Sequence, residues 1–268
     1  MSNQEYNMNY KIEGNGETLV FIHGLSDNLL YWEFLATHLK EDYQVLRVDL
    51  RGHGETELGN DGITIDVLTN DLKSLLDELQ IENANLIGFS LGGAIALDFA
   101  TKYPEMVSSM VLMSAFCKSD EHLTNVLNQF KDALNCGFEE FYDLILPMVL
   151  CPDVIEDNLD ELNFLKKLAL QSANTQAYIQ AADACLNFNV EEELSNIDAP
   201  TLIMAGKYDE ISLLTSQEDL KRKIKNSTMI VFDDVKHNLL VGKNMGKILY
   251  ILKNFFKKKE NVSRIILP

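Results

Sequence analysis

Leu86-Ile87-Gly88-Phe89-Ser90-Leu91-Gly92-Gly93 carries an apolar strand pattern straight into Gly-x-Ser-x-Gly and then into the helical run Ala94 to Lys102. A nucleophilic serine needs this passage from strand through sharp turn to helix. Glycines on both sides of Ser90 let the backbone turn without side-chain clash, leaving the hydroxyl exposed at the strand end and the next amide aimed at an attacked carbonyl oxygen. Gly and Ser are common, so the motif alone has little weight. Its partners decide the matter.

A serine hydroxyl attacks an ester only if a base takes its proton and a third group orients that base. The chain has five histidines. His23 lies in the turn Phe21 to Leu25, His38 on the amphipathic run Leu29 to Leu39, His53 in Asp49-Leu50-Arg51-Gly52-His53-Gly54, and His122 in a polar, acidic stretch. His237 remains, between the β-rich run Thr228 to Phe232 and the helical run Leu239 to Lys257, in a loop at the end of a late strand. Strand-end loops are where such sheets keep their chemistry. The acid is sought between the two. Thr201 to Asp209 supplies a strand, a Gly turn and Asp209, against which Glu210, Asp233 and Asp234 compete for the role.

With these residues in place, the chain resembles the α/β-hydrolase superfamily from about Thr18 to about Lys257, in its cap-bearing, esterase- and lactonase-like branch. Gly88-Phe89-Ser90-Leu91-Gly92 matches the nucleophile elbow, and His23-Gly24-Leu25 the turn whose third residue gives an oxyanion-hole amide. Asp49-Leu50-Arg51-Gly52-His53-Gly54 is similar to a structural turn of that branch, and Gly206-Lys207-Tyr208-Asp209 and His237 match the late acid and base. The resemblance implies a triad of Ser90, Asp209 and His237, with the backbone amides of Leu25 and Leu91 as the oxyanion hole. It implies no cofactor and no metal. One departure stands out: Lys236 precedes His237 where many relatives carry Gly. An ammonium pointed inward would oppose positive charge on the imidazole, so the expected pose is outward into solvent.

Alternating strand and helix patterns predict a mostly parallel sheet covered by helices on both faces. Strands are read near Tyr10, Leu19, Val45, Asn85, Met110, Leu202 and Met229, and the region before Thr18 as a short antiparallel hairpin at the sheet edge. From Cys117 to about Ser195 the alternation stops. Four consecutive helices are read there, Glu121 to Leu134, Phe138 to Val149, Val154 to Ser172 and Gln176 to Leu186. The predicted organisation is an α/β-hydrolase core of residues 1–116 and 196–268 with a helical cap at 117–195. Such a cap walls a nucleophile from bulk water and supplies a pocket. Phe130, Phe141, Tyr142, Met148 and Tyr178 are its candidate lining, with Phe138, Phe164 and Phe188 beside them; each is equally read as helical core.

Bulk properties narrow the function further. The formal net charge is −18, of which −11 falls in residues 117–195, so nucleic acid and anionic membrane surfaces are not expected as partners. The acidic cap reads as solvated surface or as a filter on substrate charge. The start, Met1 to Asn7, lacks the basic and apolar regions of a signal peptide, and no apolar run reaches membrane-spanning length, so a cytoplasmic enzyme is expected. Cys117, Cys136, Cys151 and Cys185 show neither zinc nor redox spacing. Ser26 and Ser114 near strand ends, and Asp49 with Arg51 as a loop-fixing pair, read as structural, and Asp66 and Asp71 as solvated helix surface. The expected reaction is hydrolysis of an ester or lactone of a small neutral acyl substrate. Two alternatives stand beside it: C–C cleavage of a small carboxylated metabolite, or a ligand-sensing signalling protein of the same fold.

Overall fold

Successive residues of a strand face opposite sides of a sheet, and here both sides are apolar. Leu19 and Phe21 pack into one core with Val45, Ile87 and Met204, whereas Val20 and Ile22 pack into the other with Leu46, Leu86 and Leu112. Strands buried on both faces belong at the centre of a parallel sheet. The computed structural model describes residues 7–258; the polar stretch before Asn7 and the basic tail beyond Lys258 lie outside it. Strands β1 (Tyr10–Glu13), β2 (Thr18–Ile22), β3 (Gln44–Val48), β4 (Ala84–Phe89), β5 (Val107–Met113), β6 (Thr201–Gly206) and β7 (Ser227–Phe232) form one sheet in the order β1-β3-β2-β4-β5-β6-β7. Only the β1–β3 pairing is antiparallel.

That pairing corrects the expected hairpin. β1 does lie at an edge, but Tyr10 stands opposite Val48, so β3 separates β1 from β2. The parallel crossover lays β3 against the outer side of β2, and β1 must pair beyond it.

Helices α1 (Glu33–Leu39) and α10 (Asn244–Lys258) cover one face; α2 (Ile65–Glu78), α3 (Leu91–Lys102) and α9 (Leu214–Lys223) cover the other. Each reads from its sequence. In α2, Thr64 caps the start by accepting from the Val67 amide, and Ile65, Leu68, Leu72, Leu75 and Leu76 form the buried stripe. Between β5 and β6 come five helices: α4 (Glu121–Cys136), α5 (Phe138–Val149), α6 (Pro152–Asp157), α7 (Leu159–Ser172) and α8 (Thr175–Leu186). The single run expected from Val154 to Ser172 is broken at Asn158, whose side chain donates to Val154 O and so competes with helix continuation. The last helix begins at Asn244 rather than Leu239, because Asn238 Oδ1 takes the Leu240 amide and turns the chain first. Among the described residues no helix is long and apolar enough to cross a membrane.

Candidate active site

The β4–α3 turn is tight enough to force glycine on both sides of the serine. A Cβ on Gly88 would lie 2.3 Å from Gly92 O, and one on Gly92 would lie 2.1 Å from Ile22 O, so neither position admits a side chain. Ser90 itself has φ 51° and ψ −114°, a costly conformation for a non-glycine residue. It is held there by its amide bond to Met113 O at 2.9 Å and by the start of α3. The Leu91 amide, first in that helix, has no intrahelical acceptor and so is available to a ligand.

Asp209 and His237 come from the loops after β6 and β7. Asp209 Oδ1 accepts from the amides of Ile211 at 2.8 Å and Ser212 at 2.9 Å, which aims the carboxylate. Its two oxygens lie 3.0 and 2.8 Å from His237 Nδ1. Nδ1 is therefore the donor and Nε2 carries the free lone pair. Ser114 Oγ donates to His237 O at 2.7 Å and fixes the loop from below. Of the competing acids, Glu210 turns to Lys236 and Asp233 and Asp234 to Lys207 and Lys243. Lys236 points away from the imidazole, but not into open solvent: its ammonium is held by Glu210 and by Pro147 O of α5 at 2.7 Å. Ser90 and His237 line one cavity, and the hydroxyl–imidazole hydrogen bond is not formed here; such bonds commonly tighten with substrate.

That cavity has a volume of about 620 Å³. Ser90, His237, Leu25 and Leu91 lie on its wall, and α4, α5 and α7 close it with apolar side chains. Phe130, Phe141 and Tyr142 are among them. Met148 and Tyr178 are not, which corrects their reading as lining. Met148 packs partly buried against the core, and Tyr178 is turned under the helices, its ring 4.9 Å from that of His53 and 6.0 Å from that of Phe138. Phe188 is likewise core, against Phe116, and Phe164 is exposed on α7. Among the described residues, no lysine or arginine lines the cavity. Asp27 does, and sequence reasoning passed it over. It sits four residues beyond His23 in the turn already singled out, but nothing local tells which way it points.

The Asp49–Gly54 turn buttresses this wall. Asp49 takes hydrogen bonds from Asn9 Nδ2, Leu29 N and Glu55 N at 2.7, 2.7 and 2.9 Å, tying the end of β3 to the loop that carries Leu25 and Asp27. Arg51 joins this turn to α2. The Arg51 guanidinium makes a two-pronged pair with Asp71 of α2, at 2.8 and 2.7 Å, so Asp71 is not solvated surface but a half-buried ion-pair partner. Asp66, although exposed, pairs with Lys102. His23 Nε2 accepts from Leu50 N at 3.0 Å, and the His53 ring lies 5.2 Å from that of His23. Burial pushes His23 down to about 4 and His53 down to about 3. Both are neutral structural imidazoles. Among the described residues, no group of three or more His, Cys, Asp or Glu is placed to hold a metal ion.

Comparison with known proteins agrees with this architecture. Residues 17–145 match the family described as the alpha/beta hydrolase fold. The chain is 27% identical to the AB hydrolase superfamily protein YisY of Bacillus subtilis, covering 94% of this chain and 91% of that one. It is 30% identical to the putative carbamate hydrolase RutD of Pseudomonas syringae pv. syringae, covering 81% and 85%. The enol-lactonase structure from Burkholderia xenovorans superposes with a TM-score of 0.85 at 22% identity, over 93% of this chain and 96% of the other, and so shares the fold.

Proposed function

As the chain belongs to the α/β-hydrolase superfamily, we propose that it is a serine hydrolase cleaving an ester or lactone with a neutral, apolar acyl group. The observation that carries this reading is the buried His237–Asp209 pair, opening with Ser90 onto one apolar cavity that, among the described residues, no lysine or arginine lines. Ser90 Oγ attacks the acyl carbonyl while His237 Nε2 takes its proton. The amides of Leu25 and Leu91 hold the oxyanion; its collapse expels the alcohol, which receives the proton from His237. Water, deprotonated by the same imidazole, then attacks the acyl-enzyme and releases the acid and Ser90. Asp209 keeps the tautomer that makes Nε2 the base. Residues 117–195 serve as the cap, and the cavity, within the size range of small-molecule sites, takes the acyl chain.

The carboxylated substrate of a C–C hydrolase has less support, because it would bring an anion into a cavity where, among the described residues, the lining acid Asp27 is met by no lysine or arginine. Fluorophosphonate labelling of wild type and Ser90→Ala, followed by a panel of acyl esters and lactones, tests the proposal. Labelling and turnover that both depend on Ser90 support it; turnover that survives Ser90→Ala overturns it.

A further inference from the structure

The cavity wall is uneven. Its α4, α5 and α7 side is hydrocarbon, whereas Asp27, Tyr31 and Asn238 gather on the loops beside His237. Tyr31 Oη donates to Asn238 Oδ1 at 3.0 Å, and its ring stacks on Phe89, centroids 4.8 Å apart. Phe89 in turn lies 5.1 Å from the His237 ring. Asp27 belongs to the same group: its Oδ2 sits 3.0 Å from the point a Gly24 Cβ would occupy, and the Phe89 ring edge lies 2.9 Å from that point.

What distinguishes Asp27 is that, among the described residues, only the Gly24 backbone and the His237 ring offset the burial of its carboxyl. The other enclosed aspartates are matched. Asp71 has Arg51, Asp98 has Lys102, Asp49 has Asn9 and two backbone amides, and Asp209 has His237 and two backbone amides. Around Asp27 burial dominates and pushes its carboxyl up to about 7, with positive charge on His237 and the Gly24 backbone acting the other way. A carboxylate in such a place is costly until a cation joins it. Aromatic rings beside it add attraction for an ammonium.

We propose that Asp27, with Tyr31 and Phe89 beside it, recognises an ammonium group on the leaving-alcohol half of the substrate, making this an esterase for amino-alcohol esters of apolar acids. The inference rests on the hydrolase reading, which sets the direction of the substrate. His237 must reach the leaving oxygen to protonate it, so the alcohol lies on the His237 side, where Asp27 is, and the acyl chain runs into the hydrocarbon side.

The test compares a choline ester of a short fatty acid with its dimethylbutyl isostere, in which carbon replaces the ammonium nitrogen, at about pH 8 where Asp27 is mostly ionised. In wild type the cationic ester should have the higher kcat/KM, on the order of tenfold. In Asp27→Asn, which keeps the shape and removes the charge, that ratio should fall to near one. Asp27→Ser serves if the asparagine variant does not fold by circular dichroism. A wild-type ratio of one or less, with Ser90-dependent cleavage of the neutral ester, overturns the inference and leaves the hydrolase reading standing. A preference that persists in the Asp27 variants also overturns it, assigning the effect to the acidic surface. If neither ester is cleaved, the hydrolase reading fails separately, and calorimetric titration with hexyltrimethylammonium decides the cation site: binding weakened about tenfold by Asp27→Asn supports it, and equal or absent binding overturns it.

Discussion

Ser90 is held at φ 51° by its surroundings, not by its side chain, so Ser90→Ala should fold normally. Its turnover of any ester that proves a substrate should fall by roughly three orders of magnitude or more. His237→Ala and Asp209→Asn should each be crippled as well, and combining either with Ser90→Ala should add little, as the proposed mechanism requires of three groups acting as one device. Steady-state rates of the single and double variants check this; additive losses would mean the roles are misassigned. The buried titratable groups predict an acid response. His23 and His53 titrate near 6.5 when unfolded but at about 4 and about 3 when folded, so their contribution is full above pH 6.5 and is lost as pH falls toward those values. Asp27 has the opposite sign: raised from 3.8 to about 7, its contribution is full below 3.8 and lost as pH rises through 7. Between about pH 5 and 6 the unfolded chain therefore binds about one more proton net through these three groups, and stability should rise with pH by about 1.4 kcal/mol per unit. Asp27→Asn removes the opposing proton and should roughly double that slope. Urea midpoints at several pH values measure both; an unchanged slope in the variant would contradict the Asp27 assignment.

Helices transmit the sequence's local preferences to the site through a few cross-links. Arg51 and Asp71 join the turn after β3 to α2, with side chains only 3% and 10% exposed, so removing Asp71 takes the two-pronged countercharge from a buried guanidinium. Asp71→Asn should therefore cost about 3 kcal/mol or more, read as a drop in unfolding free energy, whereas disrupting the exposed Lys73–Asp77 pair should cost under about 1 kcal/mol. The carboxyl end of α5 meets the loop that carries His237: Lys236 Nζ donates to Pro147 O and the Asn238 amide donates to Val149 O at 3.0 Å; at the start of α4, His122 Nε2 lies 2.8 Å from Glu210 O, beside Asp209. α7, beyond this anchorage, has no buried residue although Leu162, Leu165 and Leu168 face the cavity. Lys236→Met should leave the global melting temperature within a few degrees, since it removes a surface-side pair. It should nonetheless speed hydrogen exchange across α5–α7 and lower kcat/KM a few-fold; unchanged exchange there would show that the lysine does not fasten the helices.

At the scale of the whole molecule, charge is the property most unevenly shared. A net charge of −18, with −11 of it in residues 117–195, surrounds the cavity with negative potential that salt screens. A neutral ester should accordingly be cleaved with a higher kcat/KM than its ω-carboxylate analogue, and added salt should narrow the gap. Shape alone would leave the preference insensitive to ionic strength. A carboxylated substrate that reacts faster at low salt would instead favour the C–C hydrolase alternative.

Much of this architecture is written locally, and local signals are what a sequence transmits. The alternation that buries Leu19 to Ile22 on two faces, the glycine-flanked Ser90, and the strand-end positions of Asp209 and His237 are all short-range patterns, legible without coordinates. The helical stretch after β5 is legible for the same reason, in the apolar periodicity that marks α4, α5 and α8. Direction and partnership are not local. Whether β1 pairs with β2 or β3, whether Asp71 faces water or Arg51, and whether Tyr178 or Tyr142 meets the cavity depend on which segments arrive from elsewhere in the chain. Asp27 shows the limit most plainly. Its neighbours in sequence mark a turn, but only the packing of that turn against the end of β4 and the loop after β7 sets its half-buried carboxyl beside Phe89 and His237 at the cavity wall, because surroundings are set by everything that packs around a residue and not by the residue itself.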